Sequence, residues 1–138
     1  KHMERISIDN GLKSFEIADN EGNVRGVISF NPSDFGFIER AKKVQQDIIK
    51  YADTIPEDAS EETLVKIDKT VRDKIDELFS SNVSEVIFGN VNCVSFSGGK
   101  PLFRKALETL IPIVSKTIVE EMKKSEDHIN KYTKGIIK

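Results

Sequence analysis

A single cysteine, Cys93, occurs in the 138 residues, so no intrachain disulfide can form and no thiol cage for zinc can be built. Such cysteine usage agrees with a reducing, cytoplasmic setting. The eight glycines and four prolines are too few for a low-complexity or disordered chain. No run approaches the roughly 18 consecutive apolar residues of a membrane span, and the first residues lack the apolar core of a signal peptide. Charge of one sign is also missing. Lysine and arginine number 21 against 23 acidic residues, a net charge of −2, which sets up no field to draw the chain onto nucleic acid or an anionic membrane.

Reactive constellations are equally scarce. A phosphate loop needs a glycine, four residues and then Gly-Lys-Ser/Thr. Here Gly98-Gly99-Lys100 is followed by Pro101, and Val94 stands where the first glycine is required. Of the two histidines, His2 belongs with Lys1 and Met3 to a stretch that reads as a cloning remnant, and His128 sits in a charged tail beside Asp127. One histidine among scattered carboxylates does not make a metal site. Cys93 lacks a histidine partner that would activate it, and the acid pairs Asp53 with Glu57 and Glu120 with Glu121 read as solvated helix faces. The expectation is a non-enzymatic protein with no catalytic residue, no cofactor and no metal.

What is present is hydrophobic periodicity. Hydrophobic residues make up 38% and charged residues 32% of the chain, enough to fold a single domain with a real core. Phe15 and Ile17, then Val24, Gly26, Ile28 and Phe30, alternate with polar or outward positions at period two. Asp19-Asn20-Glu21-Gly22-Asn23 lies between them with residues that tolerate positive φ, which predicts a β-hairpin. Ile6 and Ile8, ahead of a second turn signal at Asp9-Asn10-Gly11, offer a third strand, since an isolated hairpin is marginal alone.

Beyond residue 34 the period changes to that of helices. Ser33 or Asp34 is placed to cap a first helix with Ile38, Ala41, Val44, Ile48, Tyr51 and Ile55 on its buried stripe, ending before Pro56. Ser60 with Thr63, or Asp58 with Glu61, opens a second along Leu64, Ile67, Val71, Ile75 and Leu78, with a mixed-sign polar surface that includes Asp68, Arg72 and Asp76. Residues 83–88 read as a helical turn or a strand, and residues 89–99 as an irregular loop carrying Val91, Val94 and Phe96. From Gly98 to about Tyr132 a long helix is predicted, with Pro101 in its first turn and a stripe of Leu102, Phe103, Ala106, Leu107, Leu110, Ile111, Val114, Ile118 and Met122. Pro112 predicts a kink or break near Ile111, and Gly135 the helix end.

The predicted fold is thus α+β and mainly α: after the remnant at 1–3, a hairpin or three-stranded meander at 4–34, then three to four helices over 35–138, all in one domain. Three amphipathic helices leave more apolar surface than one small core needs, so some of it should be covered by another subunit. The candidate residues for subunit or client contact are Phe35, Phe37, Val94 and Phe96.

The run Phe15-Glu16-Ile17, Asp19, Gly22-Asn23-Val24, then Ile28 to Asp34, resembles small tail proteins of long-tailed phages and prophages of Gram-positive bacteria. So do Ile87-Phe88-Gly89-Asn90, Gly99-Lys100-Pro101, Leu110-Ile111-Pro112-Ile113 and Asn130-Lys131-Tyr132-Thr133. These are similar to tail assembly chaperones. The resemblance implies a helper without enzymatic activity that forms homo-oligomers in the host bacterial cytoplasm and coats the tape measure protein until tail tube protein displaces it, with the major tail protein as a further candidate partner. It transfers no individual site residue; that neither nucleic acid nor a membrane is expected as partner follows from the balanced charge and the absence of a long apolar run. The rival reading is a phage-encoded inhibitor or modulator of a host defence or regulatory protein, for which a clustered acidic face would speak; the charges here are interspersed.

Overall fold

A computed structural model describes the backbone of residues 2–97 and 99–137 and the side chains of residues 2–96 and 99–126. Strands β1 (Lys13–Ala18) and β2 (Val24–Phe30) form the expected antiparallel hairpin, with Phe15 opposite Ile28 and Lys13 opposite Phe30. Its connection is built on Asp19, whose carboxylate accepts from the backbone N–H groups of Glu21 (2.9 Å) and Asn23 (3.0 Å). Gly22 supplies the positive φ of +84° that an L side chain rarely adopts. The hydrogen bond from the Asn23 amide holds the Asp19 carboxyl below the usual carboxylate range.

The register slips between Ile17 and Ala18, a bulge that leaves Arg25 without a partner on β1 and turns its side chain toward the Ile87 carbonyl, 3.4 Å away. The third strand does not form. Residues 2–12 are neither strand nor helix, and Ile6 and Ile8 are 86% and 82% exposed. Two alternating isoleucines bury too little within their own chain to offset the entropy of ordering the segment. Asp9 and Asn10 instead turn the chain by accepting from the N–H groups of Gly11 (2.9 Å) and Leu12 (3.1 Å).

Helix α1 (Phe35–Ala52) is capped by Asp34, which accepts from the Gly36 N–H at 2.9 Å. Ile55, expected on its stripe, lies past its end in the following turn yet still packs half-buried against the core. Helix α2 (Glu61–Phe79) is capped by Ser60 through the Thr63 N–H at 3.2 Å. It stops at Ser80, which takes the left-handed conformation at φ +54°. Residues Val83–Phe88 form the short helix α3. The loop after it is less irregular than expected, because β3 (Phe96–Ser97) pairs antiparallel with β4 (Lys100–Pro101).

Helix α4 (Leu102–Ile137) is long, as predicted, but it starts later. Pro101 pairs with Phe96 instead of entering the first helical turn. The free donors of that turn are satisfied from the loop: Leu102 N–H donates to the Ser95 carbonyl and Phe103 N–H to the Cys93 carbonyl, both at 2.8 Å. Pro112 lies inside α4 without splitting it. Gly135 does not end the helix either, since a single glycine costs a helix only about 1 kcal/mol, and α4 continues to Ile137.

The core is shared among the elements. Ile28 of β2, Ile48 of α1, Ile67, Val71 and Ile75 of α2, Val83 and Phe88 of α3, Cys93 and Val94 of the loop, and Phe103 of α4 are its buried members. A second group is aromatic. Phe30 stacks between Phe15 and Phe37 at centroid distances of 5.6 and 5.1 Å, and Phe79 closes against Phe37 at 5.8 Å, fastening the hairpin to α1 and to the end of α2. No helix among the described residues is long and apolar enough to cross a membrane.

The hairpin meets α3 at a point with no room for a side chain. A Cβ on Gly26 would come within 2.8 Å of Val86 Cγ2 and 2.9 Å of its Cγ1, and valine has little rotamer freedom with which to retreat. Gly26→Ala is therefore expected to lower stability by about 1–3 kcal/mol. In urea titrations the Gly26→Ala/Val86→Ala double variant should be less destabilised than the sum of the two single changes; simple additivity would rule this contact out as the cause.

Candidate protein-binding groove

The position of α4 is set from α2. Asp68, Arg72 and Asp76 recur at four-residue steps and so share one row of the helix. They were expected in a solvated surface, and the exposed Lys69–Asp73 pair at 2.7 Å is that surface, but the row itself grips the segment from residue 84 to 93. Asp76 accepts from Ser84 N–H (2.7 Å) and Ser84 Oγ (2.9 Å). Arg72 donates through Nε to Asp68 (3.0 Å) and through Nη2 to the carbonyls of Gly89 (2.9 Å) and Val91 (2.7 Å), with its guanidinium 5.4 Å from the centre of the Phe88 ring. Asp68 also accepts from the Cys93 N–H at 2.8 Å. Four-residue spacing beside the apolar stripe is the sequence signal that marks this row; its partners lie too far along the chain to be read locally.

Partial burial pushes the Asp68 carboxyl up, but the Cys93 N–H and the Arg72 guanidinium outweigh that and hold it below its ordinary value. Burial, reinforced by the neighbouring Asp68, drives the Cys93 thiol up to about 12. Cys93 is fully buried, so it is a core side chain and no nucleophile at neutral pH. Asp53, Glu57 and Glu120 lie exposed and Glu121 half-exposed, while the side chain of His128 falls outside the described residues. Among the described residues no group of three or more His, Cys, Asp or Glu is placed to hold a metal ion.

Hung from the loop at its first turn, α4 does not seal its apolar stripe. Only Phe103 of that stripe is fully buried; Leu107, Leu110, Ile111, Val114 and Ile118 are half-buried and Met122 is exposed. Hollows run along it. One of about 340 Å³ lies between Ile49 and Ala52 of α1 and Leu107 and Ile111 of α4. Another, about 240 Å³, is bounded by Ile38, Ala41 and Val44 of α1, Leu78 and Phe79 of α2, and Leu110, Val114, Ile118 and Val119 of α4. A third, about 410 Å³, is framed by Phe35 and Ile38 at one wall and Met122 and Ser125 at the other.

Shared residues join them into one groove: Gln45, Leu107 and Ile111 border the first and second, and Ile38 the second and third. Because the end of α1 faces the start of α4 and the reverse, the two helices run antiparallel along it. An apolar trough of this kind can seat the apolar face of a peptide segment and exclude water from both.

The four candidate contact residues divide. Phe35 and Phe96 are 73% and 74% exposed, and Phe35 stands at one end of the groove. Phe37 and Val94 are buried in the fold, at 3% and 5%. Phe37 follows Phe35 by two residues, which on a helix turns it to a different face, and there it joins the aromatic stack. Val94 is drawn in because the Asn92 side chain bonds its N–H at 2.8 Å beneath the start of α4. The sequence also carried a signal for exposed residues outside the expected set. Ile113 and Val119, beside the α4 stripe, are 42% and 62% exposed and widen the apolar surface.

No protein-family model, curated protein or solved structure matches the chain.

The Asp68–Cys93 contact gives opposite responses to acid and alkali. The thiol titrates near 9.0 when unfolded and about 12 when folded, so the folded chain holds the extra proton between those values and loses stability as pH rises through them. The Asp68 contribution is present above the carboxyl's ordinary 3.8 and is lost as pH falls through its lower folded value. Urea midpoints measured at several pH values should therefore fall on both sides of neutrality, and Cys93→Ala should remove the alkaline limb while leaving most of the acid limb, which the residue 93 N–H and Arg72 still support. A thiol reagent should label native Cys93 only at the rate of unfolding; rapid labelling of the native chain would contradict the burial.

Proposed function

We propose that this protein is a non-enzymatic phage tail assembly chaperone, one that associates with itself and covers apolar segments of the tape measure protein in the host bacterial cytoplasm while tails are built. The observation that carries the reading is the α1–α4 groove, in which Leu107, Leu110, Ile111, Val114 and Ile118 stay half-uncovered although their spacing is that of a buried stripe. A holdase needs apolar surface that a client can cover and later vacate without chemistry. The resemblance of the hairpin run and of the Leu110-Ile111-Pro112-Ile113 segment to small phage tail proteins supplies the client. The charges at the mouth of the first hollow are of mixed sign, with Arg104 paired to Glu108 at 3.5 Å, which suits a partner recognised by its apolar face more than by its charge.

Co-expression with the neighbouring tape measure protein should yield a soluble complex that co-purifies. The exposed groove residues Phe35, Val119 and Met122 contribute little to the chain's own core, so a triple change to serine should leave its thermal midpoint nearly unchanged. The same variant should weaken client binding roughly tenfold to a hundredfold. A client held equally well by wild type and variant would remove the groove from the mechanism, and a tape measure protein indifferent to both would remove the chaperone reading.

A further inference from the structure

The residues before β1 belong to no sheet, the outer edge of β1 has no neighbouring strand among the described residues, and the two match. Residues 2–12 make no strand or helix, yet Ile6 and Ile8 alternate at period two and are 86% and 82% exposed. Among the described residues the sheet beside them has two strands, so β1 presents an unpaired row of backbone donors and acceptors, the surface to which an extended segment adds most readily. Next to that edge lies a hollow of about 340 Å³ with Phe15 of β1 and Ile113 and Thr117 of α4 in its walls and Lys13, Lys116, Glu120, Glu121 and Lys124 around them. A strand added there would set an apolar side chain against Phe15 and Ile113 and leave the charged groups at the margin.

We propose that the arm of one copy pairs antiparallel with β1 of a second copy and completes the sheet as a third strand. Placing Ile6 opposite Phe15 puts both on the face that looks toward α4, and the same register sets Arg5 opposite Glu16 and Ser7 opposite Ser14 on the outer face, an opposite-charge pair and a hydroxyl pair. Within one chain this pairing is not made, because Asp9 and Asn10 fix the intervening turn on Gly11 and Leu12 and Asn31 Nδ2 ties the Asn10 carbonyl to the end of β2.

The surface area agrees. A compact monomer of 15.5 kDa exposes about 7,200 Å², whereas this chain exposes 10482 Å². Part of the excess is the uncovered arm itself, with Ile6 and Ile8 outside the fold, and a standard stable interface takes ~800 Å² from each partner. The inference rests on the self-association part of the reading above and names the surface that performs it.

Light scattering on the full chain and on a variant lacking residues 1–8 tests it, with hydrogen exchange of the Lys13–Ala18 amides followed over roughly a hundredfold range of concentration. The full chain should be dimeric or larger, and its β1 amides should become at least about tenfold more protected as concentration rises. Deletion should abolish both effects while circular dichroism stays that of the folded chain, and Ile6→Ser/Ile8→Ser should act in the same direction. A full chain that stays monomeric sinks the inference together with self-association. Association that survives the deletion sinks the arm alone and leaves self-association standing. Protection of β1 that does not depend on concentration means the arm folds back on its own chain and overturns exchange between copies.

Discussion

The row Asp68, Arg72 and Asp76 on α2 is the constraint from which the second half of the fold hangs. Three side chains satisfy the backbone of α3 and its following loop at Ser84, Gly89, Val91 and Cys93. Leaving such groups unpaired away from water costs about 1–3 kcal/mol each, so the loop has one favourable course. That course ends by offering the Cys93 and Ser95 carbonyls to the first turn of α4. The direction of the longest helix is thus decided by a polar network on another helix, and only then by the burial of Phe103.

Suspension at one end explains why the chain has two unequal kinds of interior. Around Phe88, Val71 and Ile28 the packing is complete, and Phe15, Phe30, Phe37 and Phe79, with ring centroids 5.1 to 6.3 Å apart, hold the hairpin in place. Along α4 beyond Phe103 the stripe faces α1 across a trough instead of meshing with it. Meshed helices lie about 8–10 Å apart with side chains interleaved, and that closeness would leave no groove. A protein whose only task was to fold would gain by closing it.

Features whose logic is local were legible in the sequence. The turn at Asp19–Asn23, the caps at Asp34 and Ser60, and the stripes of α1 and α2 all depend on residues within a few positions of one another, and the structure has them. The start of α4 was not legible, because the groups that satisfy Leu102 and Phe103 lie seven and ten residues back in a loop. The inward role of Asp68, Arg72 and Asp76 was hidden for the same reason: their composition is that of a solvated face, and only their long-range partners make it otherwise. At the candidate site the sequence marked the α4 stripe but not how little of it would be sealed. Of the paired phenylalanines, Phe37 went to the stack and Phe35 to the surface, as a two-residue step on a helix requires.

Pro112 carries one more implication. Lacking an N–H, it leaves the Glu108 carbonyl without its helical donor, and its ring presses on the same turn, at a level where α4 borders the first hollow. Bending there breaks no ladder bond that is not already missing. The stretches before and after Pro112 are therefore joined by one ladder bond fewer than the rest of the helix, so α4 bends most cheaply at the level of the first hollow, more than a full turn beyond the network that holds its root.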